Sequence, residues 1–175
     1  MHLILDIDGT LISEATAYEP IIFRPHLDEF LDFCFETFET VSIWSAAGKD
    51  HVNNISIRIL PKGKNWLFVK HSEHCHKRYG SGCGECPAFI TQKRLINVWR
   101  TNKYRNLGVK RENTIIVDNT PEVCVKNYGN AIYIRTFQGE SNDEELIKLK
   151  SYLSSLVNCR DVRKVEKRGW RNKPY

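Results

Sequence analysis

The sequence predicts an α/β protein whose core is a parallel sheet covered by helices on both faces. Three observations point there. Short runs rich in Leu, Ile and Val recur along the chain, segments with helical spacing lie between them, and the runs end in polar residues, Asp6, Ser45 and Asp118. The chain has 175 residues, 41% of them hydrophobic, which is enough for one core and too short for two ordinary domains. One domain over residues 1–157 and a basic tail over 158–175 are therefore expected. Charged residues at 27% and aromatics at 11% exclude disordered and collagen-like classes.

Residues 2–7 are mostly Leu and Ile with little alternation, as befits a strand buried on both faces, and Asp8-Gly9-Thr10 ends it as a turn. Pro25 suits the first turn of a helix whose apolar face is Leu27, Phe30, Leu31, Cys34 and Phe38. Residues 40–45, β-branched and aromatic, make a second strand, followed by small residues and a helical stretch near 49–59. A third strand is expected at 65–69. Residues 71–87, HSEHCHKRYGSGCGECP, lack periodicity, so an inserted loop or short hairpin is expected within about 70–90. Helical pattern resumes at 93–99, buried strands follow at 114–117 and 131–134, and a last helix spans about 143–156 with Leu146, Leu149, Leu153 and Leu156 on one face.

The net charge of +5 is uneven. Residues 1–60 carry 3 Lys/Arg against 10 Asp/Glu, whereas residues 61–105 carry 10 against 2 and residues 160–175 carry 7 against 2. An acidic N-terminal third flanked by basic segments suits an anionic ligand held between them rather than a nucleic-acid binder with a basic face throughout its fold. No apolar stretch approaches the roughly 18 residues of a membrane span, and the first run stops at Asp6, so neither a signal peptide nor a membrane helix is expected. That places the protein in cytoplasm or nucleus, with its six cysteines reduced.

In open α/β sheets ligands bind beyond the carboxyl ends of the strands, so Asp6, Asp8, Ser45, Asp118 and Asn119 should converge. Asp6 directly follows Leu-Ile-Leu and would be a nearly buried charge, a cost that a magnesium ion offsets. Taken together, these residues resemble the haloacid dehalogenase superfamily of phosphotransferases. Leu3-Ile-Leu-Asp-Ile-Asp-Gly-Thr-Leu11 looks like its first motif. Arg24-Pro-His-Leu-Asp-Glu-Phe-Leu31, with Ile43-Trp-Ser-Ala46, looks like the branch of RNA polymerase II C-terminal-domain phosphatases and NLI-interacting-factor proteins. Ile116-Val-Asp-Asn-Thr-Pro121 is similar to that branch's fourth motif, and Lys93 in Lys-Arg-Leu-Ile-Asn-Val-Trp99 to its third.

The resemblance, over residues 2 to about 157, implies a Rossmann-like fold with a small insert instead of a large cap. It also implies a magnesium-dependent phosphatase hydrolysing phosphoserine or phosphothreonine in protein, with the polymerase C-terminal domain as a candidate partner. Asp6 would be the nucleophile, forming an aspartyl-phosphate, and Asp8 the general acid and base. Ser45, through its hydroxyl and nearby backbone amides, and Lys93 would bind phosphoryl oxygens. Magnesium would be held by the Asp6 carboxylate, the Asp8 backbone carbonyl and a side-chain oxygen of Asp118 or Asn119, all hard ligands. Lys103, in Lys-Tyr-Arg-Asn-Leu-Gly108, competes for the lysine role, but the Leu95 and Trp99 spacing favours Lys93.

The insert offers a further set of ligands. Cys83-Gly-Glu-Cys86 with Cys75 and His76 could make a tetrahedral zinc site, set against a surface loop with free thiols. Arg160 to Tyr175 is basic without a continuing apolar face, and Trp170 among its cations could stack on nucleic acid or dock on a partner. Two rival readings share the fold: a phosphatase acting on a small molecule or a nucleic-acid end, and a non-catalytic binding module, which would be expected to lack the intact motif set.

Overall fold

The computed structural model describes residues 1–14, 20–79 and 89–173. Its strands in chain order are β1 (His2–Leu5), β2 (Thr40–Trp44), β3 (Val69–Lys70), β4 (His76–Tyr79), β5 (Phe89–Gln92), β6 (Thr114–Asp118) and β7 (Ala131–Tyr133). The helices are α1 (Leu27–Thr37), α2 (Lys49–Arg58), α3 (Ile96–Trp99), α4 (Asn102–Arg105) and α5 (Glu145–Leu156). Five strands form one parallel sheet in the order β3-β2-β1-β6-β7. With β1 in the middle, the chain leaves it outward on one side through β2 and β3, then returns to build the other side. The strand order therefore reverses between β1 and β6, and the crevice beyond their carboxyl ends is the natural ligand position.

Side-chain alternation feeds two cores. Leu3, Leu5, Val41, Ile43, Ile115 and Val117 pack on the face covered by α1, α2 and α5. Ile4, Trp44 and Ile116 pack on the other face against Phe68, Leu95, Val98, Tyr104 and Cys124. Both faces being dry explains the unbroken apolar runs. α1 follows His26, a non-glycine residue in the left-handed region at φ 65°, and buries Leu27, Phe30, Leu31 and Cys34.

Several elements differ from expectation. The third strand is only two residues long and lies at the far end of the expected stretch, because its pairing is dictated by β2: Leu67 N donates to Val41 O and Ile43 N to Phe68 O before the formal strand begins. The insert, expected as a loop or short hairpin, does form an antiparallel pair, β4 with β5, in register His76 opposite Gln92. The expected helix from Lys93 starts only at Ile96 and breaks into α3 and α4 at Thr101; Lys93 itself follows β5, its N–H bonded to Val123 O. The stretch after α5, expected as a tail without an apolar face, packs on the body instead. Trp170 is 2% exposed, stacks on Tyr152 at 5.4 Å between centroids, and donates from Nε1 to Tyr133 O at 2.9 Å. Lys167 Nζ is held by the carbonyls of Gly129, Val162 and Val165. A buried Trp170 is not presented for stacking on nucleic acid. Among the described residues no helix is long and apolar enough to cross a membrane.

Because Trp170 fills space against α5 and β7, Trp170→Ala should cost about 3–5 kcal/mol of stability. Urea unfolding checks this, and a change below about 0.5 kcal/mol would mean the segment is merely solvated.

Candidate active site

Beyond the strand ends, Asp6, Asp8, Ser45, Lys93, Asp118 and Asn119 line one cavity of about 630 Å³. Asp6 follows β1 directly and its N–H still bonds Val117 O of β6, so it enters the crevice as a continuation of the sheet. Asp118 is the last residue of β6. Lys93 reaches between them: its Nζ lies 2.5 Å from Asp6 Oδ1 and 2.7 Å from Asp118 Oδ2, and it is 1% exposed. Asn127 holds the lysine's backbone by donating to Lys93 O. Lys103, by contrast, is exposed, with its ammonium 6.0 Å from the Tyr104 ring centroid.

Burial pushes the Asp6 carboxyl up to about 7, with Asp118 and Asp8 adding to the rise and Lys93 opposing it. Burial opposes the charge on Lys93 as well, yet Asp6 and Asp118 hold its ammonium well above the usual lysine range. Among the described residues four carboxylates, Asp6, Asp8, Glu14 and Asp118, line the cavity against a single lysine. The site is short of positive charge.

Asp8 lies two residues past Asp6, and both its oxygens are engaged. Ser45 Oγ donates to Oδ2 at 3.1 Å, and His51 Nε2 lies 2.7 Å from Oδ1. Ser45 Oγ in turn accepts from Ala47 N, whereas its own backbone N–H is spent on Lys70 O, so that amide does not face the cavity. Ala46, Ala47 and Gly48 line the cavity ahead of α2, whose first N–H groups have no intrahelical partner and favour an anion there.

Asp118 Oδ1 accepts from Thr120 N, and Oδ2 takes Lys93 and, at 3.6 Å, the Cys124 thiol. Asn119 is less committed: among the described residues its Oδ1 accepts only long bonds of 3.4 Å from Thr10 and Thr120. Its amide group lies so close to Gly9 that a Cβ there would meet Asn119 Nδ2 at 2.4 Å, and Gly9 has φ +69°. The turn after Asp8 thus needs glycine twice over.

A buried pair frames this loop from behind. Arg24, 1% exposed, bonds both oxygens of Asp143 at 2.8 and 2.9 Å and also the carbonyls of Thr10 and Arg135. Burial works against it, but the bonds from Arg24 hold the Asp143 carboxyl below the usual range. The loops after β1 and β7 are tied together by that one guanidinium.

Sequence reasoning missed His51, Thr10 and Cys124. Thr10 Oγ1 donates to Asp6 Oδ2 at 3.0 Å, and its place in Asp-Gly-Thr was a signal. His51 and Cys124 carry none, since their roles depend on which helix starts meet the crevice. Of the residues expected to bind zinc, Cys83 and Cys86 lie outside the described residues. Cys75 is buried, its thiol directed at the carbonyls of Ser45 and His71, while the next residue, His76, is exposed on β4. Among the described residues no group of three or more His, Cys, Asp and Glu forms a metal cage, and zinc has no support there.

A family model described as NLI interacting factor-like phosphatase matches residues 1–163. CTD small phosphatase-like protein 3 of Caenorhabditis elegans is 27% identical over 188 residues, covering 97% of this chain and 59% of that protein. CTD phosphatase-like protein 355R of Invertebrate iridescent virus 6 is 29% identical over 148 residues, covering 81% of this chain and 78% of that protein. Among solved structures, Fcp1, titled an essential RNA polymerase II CTD phosphatase, is similar with a TM-score of 0.60 at 16% identity, over 89% of this chain and 61% of that one. The likeness to Fcp1 is one of fold. This chain spans about three fifths of the worm relative's length.

The raised Asp6 carboxyl has a stability consequence. In metal-free protein the folded state binds a proton at Asp6 that the unfolded chain has released, so stability should fall as pH rises from about 4 to about 7. Asp6→Asn should flatten that stretch. Chemical denaturation in the presence of chelator checks it, and a stability that rises over the same window contradicts the assignment.

Proposed function

The chain belongs to the family of NLI interacting factor-like phosphatases, within the haloacid dehalogenase superfamily, and from that premise we propose that it hydrolyses phosphoserine or phosphothreonine in protein through a phosphoaspartate on Asp6. The observation that carries the reading is the Asp6 carboxylate, bridged by Lys93 to Asp118, with Asp8 two residues on and all three at the floor of one open cavity. A phosphate monoester is a dianion, so an attacking carboxylate needs positive charge beside it before the two can approach.

The donor set fits magnesium. The oxygens are hard, the carboxylates outnumber the cation, and burial resists ionisation of Asp6 without further positive charge. Asp6, the backbone carbonyl of Asp8 and Asn119 would hold the ion; Asn119 is favoured over Asp118, whose oxygens are already committed to Thr120, Lys93 and Cys124. Bound there, magnesium supplies charge neutralisation for the phosphoryl group.

The remaining work falls to side chains and amides of this chain. Asp6 attacks phosphorus in line as the ester oxygen departs, and Asp8 gives that oxygen a proton. Asp8 then takes a proton from the water that cleaves the phosphoaspartate. Lys93 stays charged throughout, because two carboxylates hold it so, and it steadies Asp6 and the phosphoryl oxygens. The start of α2 receives another phosphoryl oxygen, while Ser45 Oγ–H, expected to bind one too, is spent on Asp8. The mouth carries no large cap among the described residues, which leaves room for a polypeptide segment. The polymerase C-terminal domain is the candidate substrate that the relatives' names suggest. The four described cysteines are free thiols, which suits cytoplasm or nucleus.

Asp6→Asn and Asp8→Asn should each lower turnover by roughly a thousandfold or more while the fold persists. Chelation should stop turnover reversibly. The screen covers p-nitrophenyl phosphate, phosphorylated polymerase heptad peptides, other phosphopeptides, nucleotides and end-phosphorylated oligonucleotides. Selective release from oligonucleotides would replace the protein substrate by a nucleic-acid end, and full activity in the Asp6 variant would falsify the mechanism.

Lys93→Ala should lower kcat by roughly a hundredfold or more, whereas Lys103→Ala should leave it within about twofold. Steady-state kinetics on the best ester from that screen decide between them, and the reverse ranking would move the lysine role to Lys103.

A further inference from the structure

We infer that His51 is a positioning residue that, with Ser45, clamps Asp8 for the proton-transfer step and so fits the site to esters whose leaving oxygen must be protonated. The inference deepens the phosphatase reading and rests on it. Its basis is geometric. His51 Nε2 is 2.7 Å from Asp8 Oδ1 and Ser45 Oγ is 3.1 Å from Oδ2, so each oxygen of the carboxylate has its own partner, from a different element. Ser45 is fixed in turn by Ala47 N, and His51 sits in the first turn of α2 beside Val52, which is fully buried and anchors that turn in the core.

The chemistry gives the clamp its purpose. In the first step a bond forms between an Asp6 oxygen and phosphorus, the bond from phosphorus to the ester oxygen breaks, and the electron pair left on that oxygen takes the proton of Asp8. A carboxylate then appears on Asp8 where a neutral acid stood. In the tautomer protonated at Nε2, His51 and, beside it, Ser45 Oγ–H are placed to receive that charge, and hydrogen bonds to a carboxylate are stronger than those to its neutral form. In the second step water adds to phosphorus, its proton returns to Asp8, the bond from phosphorus to Asp6 breaks, and phosphate leaves.

An alkoxide, as from phosphoserine or phosphothreonine, departs only with a proton. A nitrophenoxide departs without one. Loss of His51 should therefore weigh on alkyl esters in the first step and on both esters in the second, which they share.

The test uses the full chain with magnesium, a phosphoserine peptide and p-nitrophenyl phosphate. For His51→Ala the loss in kcat/KM, which reads the first step, should be roughly tenfold or more larger for the peptide than for the aryl ester. Rapid mixing with the aryl ester should show a burst of about one nitrophenol per chain followed by slow turnover. His51→Gln, which keeps a donor near the Nε2 position, should recover most of the peptide rate. Thermal unfolding of both variants should stay near that of the parent, since the imidazole is 28% exposed. Equal losses on the two esters, or no recovery in His51→Gln, would overturn the clamp while leaving the phosphatase reading intact. A parent protein that hydrolyses neither ester overturns both.

Discussion

The ammonium of Lys93 between the carboxylates of Asp6 and Asp118 is the contact around which the molecule is organised. Those carboxylates end neighbouring strands of a sheet that is dry on both faces, so without a cation between them two like charges would share a low-dielectric crevice. The lysine is delivered by a hairpin inserted between β3 and the second half of the sheet, and it is not on a regular element. Val123 O and the Asn127 side chain hold its backbone instead. One buried cation thus ties together β1, β6, the insert and the 3₁₀ segment Pro121–Asn127. Removing a partner from such a group leaves an uncompensated charge inside the protein.

The topology explains why this contact forms where it does. With β1 central and the chain reversing direction between β1 and β6, the loops after these two strands diverge to opposite faces and leave a crevice between them. A second buried cation works the same crevice from outside. Arg24 closes Thr10, Arg135 and Asp143 into one hydrogen-bonded unit, which fixes the loop carrying Asp8 and Gly9. The two cations divide the labour, since Arg24 donates its N–H groups to acceptors of the scaffold while Lys93 faces a cavity.

Much of this was legible in the sequence, and the reasons differ by element. Apolar runs ending in Asp6, Ser45 and Asp118 announce buried parallel strands whose ends meet, and four ordered motifs placed Lys93 beside them. The third strand was misjudged in position because two residues, Val69 and Lys70, have no period of their own and take their register from β2. The segment after α5 reads as a partly ordered tail because the apolar residues that dock it, Val162, Val165 and Trp170, are scattered through a cationic run with no helical or strand period. What docks it is partly polar, three carbonyls around Lys167, and no hydrophobic pattern reports that. His51 escaped notice because a histidine in the first turn of a helix means nothing until the helix is aimed at another strand's end.

The balance of charge connects these parts to what the site can accept. The acidic N-terminal third supplies Asp6, Asp8 and Glu14 to the cavity, and β6 adds Asp118, against which the basic middle segment, among the described residues, sends in Lys93 alone. Lys77 and Arg78 stay exposed on the hairpin instead. A phosphate dianion approaching that floor would meet net negative charge, so the chain's own cation is too few by design of its packing: a second buried lysine would carry a desolvation cost that the carboxylates, already bonded to Thr10, Ser45 and His51, have few free oxygens to offset. A small, exchangeable divalent cation resolves the deficit without being built into the core, since it adds two charges while seeking oxygens such as that of Asn119, whose bonds are long. The same arithmetic separates binding from chemistry, because exposed cations outside the cavity can attract an anionic segment at long range while the carboxylate-rich floor admits its phosphoryl group only when the missing charge is present.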